Sequence, residues 1–210
     1  AVSGSQDLSL ACALTQSAAQ TWDVNAGRTL TANGAVTMGT FSLTISGAGN
    51  TAISGVCDGT GALTKTGPGT LTLSGNNTYS GVTTISMGTV ALANANGLGT
   101  TAGGTVVSAT DAALDLNGQF VGAEPVTLNG TGVAGSGALL NNAASAASMS
   151  GAITLQSDST ISATGAGALT LSGGINLGTN TVTFAGSSSI TVQSVKITGN
   201  GGVIKNGAVS

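Results

Sequence analysis

Histidine is absent from this 210-residue chain, and charged and aromatic residues are scarce. Without histidine the chain lacks the commonest general base and the Ser-His and Cys-His pairs of many hydrolases. Only 5% of the residues are charged, and the four basic residues, Arg28, Lys65, Lys196 and Lys205, do not cluster. Nucleic-acid binding needs clustered Lys and Arg that displace counterions, so we expect no nucleic-acid partner.

Long apolar runs are also missing. No run approaches the roughly 18 residues of a membrane-spanning helix, and we expect no spanning segment. Aromatic residues make up only 2% of the chain, but the net charge is just −3 and the mean hydropathy is +0.38. A disordered chain combines low hydropathy with high charge, so this composition favours one folded domain with a core of small and β-branched residues.

Apolar and polar residues alternate along much of the chain, and glycine interrupts this pattern. In the stretch from Gly59 to Gly99, the runs ALTKT, TLTLS and VTTIS place an apolar residue at every second position. That period is typical of strands with one buried face. The breaks between the runs are rich in Gly, Pro and Asn, which favour turns. Short strands separated by such frequent turns predict about two rungs of a β-solenoid.

The segment GALTKTGPGTLTLSGNNTYSGVTTISMGTVAL resembles the autotransporter-associated β-strand repeat, G-x-L-x-K-x-G-x-G-x-L-x-L-x-G-x-N-T-Y-x-G-x-T-x-I-x-x-G-x-L. The matching positions are Gly61, Leu63, Lys65, Gly67, Gly69, Leu71, Leu73, Gly75, Asn77, Thr78, Tyr79, Gly81, Thr83, Ile85 and Gly88. A weaker resemblance extends from PVTLNG to ALTLSGGI. The resemblance implies a right-handed parallel β-helix exported to the bacterial surface, although no stretch looks like the C-terminal membrane barrel of an autotransporter.

We therefore predict an all-β fold, a single-stranded right-handed parallel β-helix of about ten rungs at ~20 residues each. Residues 1–20 fit the strand pattern least and are expected to form an N-terminal cap or assembly segment, with the solenoid over residues 21–210. The expected core positions at its start are Trp22, Val24, Leu30, Val36, Met38, Leu43 and Ile45. Residues 142–150 do not follow the alternation of apolar and polar residues. We expect them to form either a short helix or a loop excursion.

The tail GGVIKNGAVS resembles the opening of the repeat, which suggests that a second copy begins there. Such a half-built rung has two explanations: the chain is a fragment of a longer solenoid, or another subunit completes the rung. An uncapped terminal rung offers unpaired backbone groups to another chain. We accordingly expect head-to-tail self-association.

Cys12 and Cys57 are the only cysteines. In an exported protein a lone pair of cysteines predicts a disulfide. The alternative is two buried thiols on neighbouring rungs. The spacing is not that of a zinc site, and we expect neither a metal nor a cofactor.

The other polar candidates favour structural roles. Asp111 and Asp115 lie four apart, about 13 Å along a strand, which is wider than a glycosidase pair, and solvated turns are expected for them. Lys65 is expected to point outward. Tyr79 is expected to pack over a corner, with glycan stacking by Tyr79 or Trp22 as the alternative. Near-corner amides predict a ladder of stacked asparagines: Asn77, Asn94, Asn117, Asn129 and Asn141.

The function expected is therefore that of a non-enzymatic, extracellular or cell-surface solenoid, structural or adhesive, which includes end-to-end filaments. A binding module is the alternative, with a surface or glycan ligand, or with ice bound to threonine runs such as Thr70-Leu71-Thr72 and Thr181-Val182-Thr183. A polysaccharide-degrading enzyme is the third possibility.

Overall fold

The computed structural model describes residues 6–193 and 196–207, which form one coil of short strands. Among these residues the only helical element is a 3₁₀ turn, Val133–Gly135. In chain order the strands are β1 (Leu8–Leu10), β2 (Leu14–Thr15), β3 (Gln20–Asp23), β4 (Thr29–Ala32), β5 (Val36–Thr37), β6 (Leu43–Ser46), β7 (Asn50–Ile53), β8 (Cys57–Asp58), β9 (Leu63–Lys65), β10 (Thr70–Leu73), β11 (Thr83–Ile85), β12 (Gly88–Leu92), β13 (Thr105–Val107), β14 (Ala112–Asp115), β15 (Phe120–Val121), β16 (Val126–Gly130), β17 (Leu139–Asn141), β18 (Ala147–Met149), β19 (Ile153–Ala163), β20 (Leu169–Leu171), β21 (Ile175–Asn176), β22 (Val182–Gly186), β23 (Ile190–Val192), β24 (Ile197–Thr198) and β25 (Val203–Lys205).

The strands stack in parallel on three faces. Face 1 holds β1, β4, β7, β10, β12, β14, β17, the end of β19, β22 and β25. Face 2 holds β2, β5 and β8, and after an interruption β15, β18, β20 and β23. Face 3 holds β3, β6, β9, β11, β13, β16, the start of β19, β21 and β24. The predicted parallel β-solenoid is confirmed, with about nine turns.

The pairing register sets the length of each turn. Leu71 lies opposite Thr51 on the preceding turn and Val90 on the next, so the two turns on either side of it are almost equal in length. Further along, Leu114 lies opposite Leu139, which makes that turn clearly longer. The expected rung length is therefore right around the repeat, and the longer later turns account for nine turns instead of ten.

The core is a narrow column inside the three faces. Alternation sends every second side chain inward. Each face therefore contributes a vertical row of Leu, Ile and Val. At the start of the solenoid six of the seven expected core residues are buried: Val24, Leu30, Val36, Met38, Leu43 and Ile45. Trp22 is only half-buried, although it packs against the core.

An excursion over residues 130–137 interrupts the coil between β16 and β17. It contains the 3₁₀ turn and folds over the outside of face 1, where the Ser162 hydroxyl donates a hydrogen bond to the carbonyl of Ser136. Its own ends are closed by the N–H of Gly137, which donates to the carbonyl of Thr131 at 2.8 Å. This excursion, and not residues 142–150, carries the helical turn, because Ala147–Met149 extends face 2 as β18.

Strands are already present before the expected boundary at residue 20. Residues 1–5 lie outside the described residues, but Leu8 already lies opposite Leu30 and Leu14 opposite Val36. The first described residues thus form the first turn, and they show no separate cap. A capping role for residues 1–20 stays a prediction.

The tail does not occupy the position of a second repeat. Lys65 of the repeat lies on face 3, opposite Ile45. Lys205, its expected counterpart, lies on face 1 in β25, opposite Phe184. Residues 208–210 of this segment, like residues 194–195, lie outside the described residues. The similarity of the two segments therefore reflects strand composition shared by different faces.

Candidate functional site

The repeat segment supplies short strands to two faces of the solenoid. Its runs become β9 on face 3, β10 on face 1 and β11 on face 3 again. Leu71, Leu73 and Ile85 are completely buried, as predicted. The threonines between them lie on the outer side and are partly exposed, also as predicted: Thr70, Thr72 and Thr84. Here alternation alone decides which residues face the core.

Glycines mark the places where neighbouring turns touch through their backbones. A Cβ on Gly61 would collide with the carbonyl oxygen of Phe41, and a Cβ on Gly69 would collide with that of Gly49. These glycines stack on the preceding turn at the corners of the coil. A side chain there would push two turns apart, so glycine is needed for close approach.

Asn77 joins three turns. It lies where face 2 lacks a regular strand, and it is 3% exposed. Its Oδ1 accepts the backbone N–H of Cys57 on the preceding turn at 2.8 Å, and its Nδ2 donates to the carbonyl of Gly97 on the next turn at 2.6 Å. A buried backbone group without a partner is costly, and this side chain supplies the partner of the Cys57 N–H and of the Gly97 carbonyl.

Tyr79 lies inside the coil and is completely buried. Its hydroxyl shares a hydrogen bond with the Thr83 hydroxyl at 2.7 Å, and burial raises the pKa of the phenol. On the next turn Thr105 lies opposite Thr83 and donates to Oε1 of the buried Glu124 at 2.8 Å. Burial raises the pKa of Glu124. These groups form a line of buried polar side chains in the core. The burial of Glu124 was not predicted from the sequence.

A family model described as the passenger-associated-transport-repeat matches residues 63–92, from the start of β9 to the end of β12. Residues 63–92 are thus similar to a passenger-associated-transport-repeat. The repeat and the solenoid together fit an autotransporter-associated β-helix repeat protein, which confirms the resemblance found in the sequence. No curated protein and no solved structure matches the chain.

Within the passenger-associated repeat, the expected orientation of Lys65 is wrong. Lys65 is 1% exposed and points inward with Leu63, two positions before it on the same strand. Its Nζ donates hydrogen bonds to the carbonyls of Gly67 and Met87, and desolvation lowers its pKa from 10.5 to about 8. Strict alternation from Leu63 would have given this orientation. Lys65 thus stabilises a corner of the coil by hydrogen bonds made from the core side.

The expected disulfide is not formed, and both cysteines are free. Cys12 is exposed and lies against Gly34, which in turn lies against Gly55. Cys57 is buried two turns away from the first turn, since its strand pairs with β5 and β5 pairs with β2. Two steps of about 4.8 Å exceed the roughly 4.4–6.8 Å between the Cα atoms of a disulfide. Desolvation by burial, with a smaller effect of Asp58, raises the pKa of Cys57 to about 12.

The asparagine ladder is also different from the prediction. Each predicted amide donates to a backbone carbonyl of another turn, and does not stack on another amide. The Nδ2 donors and their acceptor residues are Asn77 to Gly97, Asn94 to Ser74, Asn117 to Leu92, Asn129 to Ser108, and Asn141 to Gly167. Amide-to-amide pairing does occur between Asn96 and Asn76, at 2.8 Å. Asparagine therefore supplements the backbone ladder at corners.

Two of the expected ligand surfaces, at Tyr79 and around Thr72, are not assembled as the sequence suggested. Tyr79 is buried and presents no ring to a glycan. The outward neighbours of Thr72 on face 1 are Ala52 and Ala91, so this row is not a continuous threonine array. Asp111 is exposed as expected, whereas Asp115 is only 7% exposed and is not a solvated turn carboxylate.

Within residues 6–193 and 196–207, no group of three or more Cys, Asp or Glu side chains is placed to hold a metal ion. Over the same residues, no helix has the length and apolar character needed to cross a membrane.

Proposed function

We propose that this chain acts as a non-enzymatic structural and adhesive domain of an exported protein, located outside the cell or on its surface. The observation that carries the proposal is the passenger-associated repeat in register within a continuous coil. The repeat and fold support a passenger-like structural domain and suggest a secreted or surface location. With about nine turns spaced about 4.8 Å apart, the rod is about 43 Å long and offers an extended outer surface on each of its three faces.

Exposed Cys12 gives a direct test of surface location. A membrane-impermeant maleimide added to intact cells that produce the protein is expected to label it, while Cys57 stays inaccessible because it is buried. The matched control is Cys12→Ser, which is expected to remove the label. Labelling only after the cell envelope has been permeabilised would contradict the proposed location.

Head-to-tail self-association is the second part of the proposal. On β25 the side chains of Val203 and Ile204 are 54% and 46% exposed, and β25 has no further strand beyond it among the described residues. The first turn begins with β1 on the same parallel face 1. The edge of β25 can therefore pair with the first turn of a second copy. A head-to-tail contact need not close into a ring, and an open series of such contacts builds a filament.

Negative-stain electron microscopy of Val203→Asp tests this contact. A carboxylate on the exposed edge is expected to shorten the particles to single rods. Val56→Asp is the control, because Val56 is similarly apolar and 39% exposed but lies away from this edge. Filaments of unchanged length in Val203→Asp would rule out this edge as the joint.

A further inference from the structure

A cleft of about 440 Å³ lies on the outside of face 1, beside the excursion over residues 130–137. Its volume is within the ~300–1,000 Å³ of typical small-molecule sites. The residues that line it are mostly small or hydroxylated: Thr70, Thr89, Ala91, Asp115, Val133, Ser136, Leu140, Asn142 and Thr164. The cleft thus joins successive turns of the solenoid to the excursion.

The excursion turns a flat sheet face into a concave one. Alternation points Ala113, Asp115 and Leu140 outward, yet all three are less than a tenth exposed. Elsewhere on face 1 outward residues such as Thr72 and Ala52 are only half-buried. The excursion therefore covers part of the face and leaves the cleft at its side.

Asp115 is the charged group of the cleft, and it is held in place from one side. Its Oδ1 accepts the backbone N–H of Asn117 at 2.8 Å and that of Asn142 at 3.1 Å. The other oxygen, Oδ2, has no hydrogen-bond partner among the described residues. Desolvation by burial raises the pKa of Asp115, and the two backbone hydrogen bonds oppose this rise. The two backbone hydrogen bonds hold the carboxylate in place, and its free oxygen can accept hydrogen bonds from a ligand.

The remaining lining selects the ligand. Hydroxyl groups of Thr70, Thr89 and Ser136 can donate or accept hydrogen bonds. Ala91 and Leu140 supply apolar surface. Asp115 is the one charged side chain among the lining residues, so no cation is present there to hold an anionic ligand. A single carboxylate is also a poor site for Ca²⁺, which takes six to eight oxygen ligands.

We propose that this cleft binds a neutral sugar residue of a glycan, with Asp115 accepting hydrogen bonds from sugar hydroxyl groups through Oδ2. Sugar C–H groups pack on Ala91 and Leu140, and the threonine hydroxyls complete the polar contacts. The inference rests on the adhesive part of the proposed function and deepens it by giving it a ligand class. Its binding test does not depend on cell-surface location, so either proposal can fail without the other.

Saturation-transfer NMR and calorimetry on the purified chain test the proposal, with glucose, galactose, mannose, N-acetylglucosamine and their β-linked disaccharides as probes. At least one neutral sugar is expected to bind, and glucuronate at least tenfold more weakly. Asp115→Asn keeps an Oδ1 acceptor for the two backbone amides but removes the charge, and a loss of at least tenfold in affinity is expected. Asp111→Asn, an exposed carboxylate outside the cleft, is expected to bind as the unaltered protein does.

A second variant keeps the test valid if Asp115→Asn folds poorly. Ala91→Leu enlarges a side chain that lines the cleft without changing the carboxylate, and it is expected to abolish binding. Its matched control is Ala52→Leu, two turns away in the same outward row. Absence of binding for every neutral sugar, binding of glucuronate as tight as that of the neutral sugars, or wild-type affinity in Ala91→Leu would overturn the proposal.

Discussion

Oδ1 of Asn77 lies 2.8 Å from the backbone nitrogen of Cys57 on the preceding turn and accepts its N–H. The same side chain donates to the carbonyl of Gly97 on the following turn. A side chain of the repeat therefore adds hydrogen bonds between turns where face 2 lacks a strand, beside backbone bonds such as the one from the Thr78 N–H to the Cys57 carbonyl.

Asn77→Ala is expected to lower the free energy of unfolding by about 1–3 kcal/mol, because a buried N–H and a buried carbonyl lose their partner. The measurement is urea denaturation followed by circular dichroism. The control is Asn76→Ala, since Asn76 is an exposed neighbour whose side chain, among the described residues, bonds only to that of Asn96. Its effect is expected to stay within about 0.5 kcal/mol. Equal effects for the two variants would contradict the bridging role of Asn77.

The alternation of β10 predicts opposite outcomes for adjacent substitutions. Leu73 is completely buried. Leu73→Asp therefore places a carboxylate in the core without a partner, and it is expected to cost several kcal/mol or to prevent folding. Thr72 lies on the outer side and is partly exposed. Water solvates the carboxylate in Thr72→Asp, and the expected change in stability is about 0.5 kcal/mol or less.

The melting temperatures of these two variants measure the difference between the faces of β10. A stable Leu73→Asp protein would show that the assigned inner face is wrong.

Lys65 predicts a pH dependence. In the unfolded chain its pKa is the usual 10.5, whereas in the folded chain it is about 8. Between these values the unfolded state binds more protons, so the lysine's contribution to stability rises with pH. The cost of burying the charged amine is present in full below pH 8 and is relieved towards pH 10.5.

Thermal unfolding of the unaltered protein and of Lys65→Met at several pH values tests this. The unaltered protein is expected to gain stability relative to the variant between pH 8 and 10.5. Taking the difference cancels the opposing titrations of Cys57 and Tyr79, which are present in both proteins. Lys196→Met, which removes an exposed lysine, is the matched control for loss of charge. Parallel pH profiles for the unaltered protein and Lys65→Met would contradict the buried, desolvated amine.

The two thiols are expected to react at very different rates. Cys12 is exposed and should be modified by iodoacetamide at mildly alkaline pH in the folded protein. Cys57 is buried, its pKa is about 12, and its modification should require unfolding because the thiolate is the reactive form. Mass spectrometry after labelling in buffer and in urea gives one and two adducts, respectively. A mass two protons low before reduction would show instead that a disulfide exists.

The sequence by itself determined the fold class, the inward residues and the location of the passenger-associated repeat. These depend on local properties: the two-residue period of a strand, the turn preference of Gly and Asn, and glycine at places of close approach. Leu71, Leu73 and Ile85 alternate with polar residues along their strands. Because every second side chain of a strand points to the same face, these three residues are buried together. The same alternation places Lys65 inward. The sequence-based prediction gave more weight to its charge and placed it outward.

Only the tertiary structure decided which residues meet across turns. The vertical distance between Cys12 and Cys57 depends on how many turns separate them. That number follows from the pairing register of the strands, which is not apparent from the sequence. The burial of Asp115 depends on an excursion that follows it in the chain and folds back over face 1. Contacts of this kind join residues a full turn apart, and the turn from Leu114 to Leu139 is longer than the turn from Leu71 to Val90. Local propensity does not fix those lengths, because each corner accommodates insertions on the outside of the coil without disturbing the core.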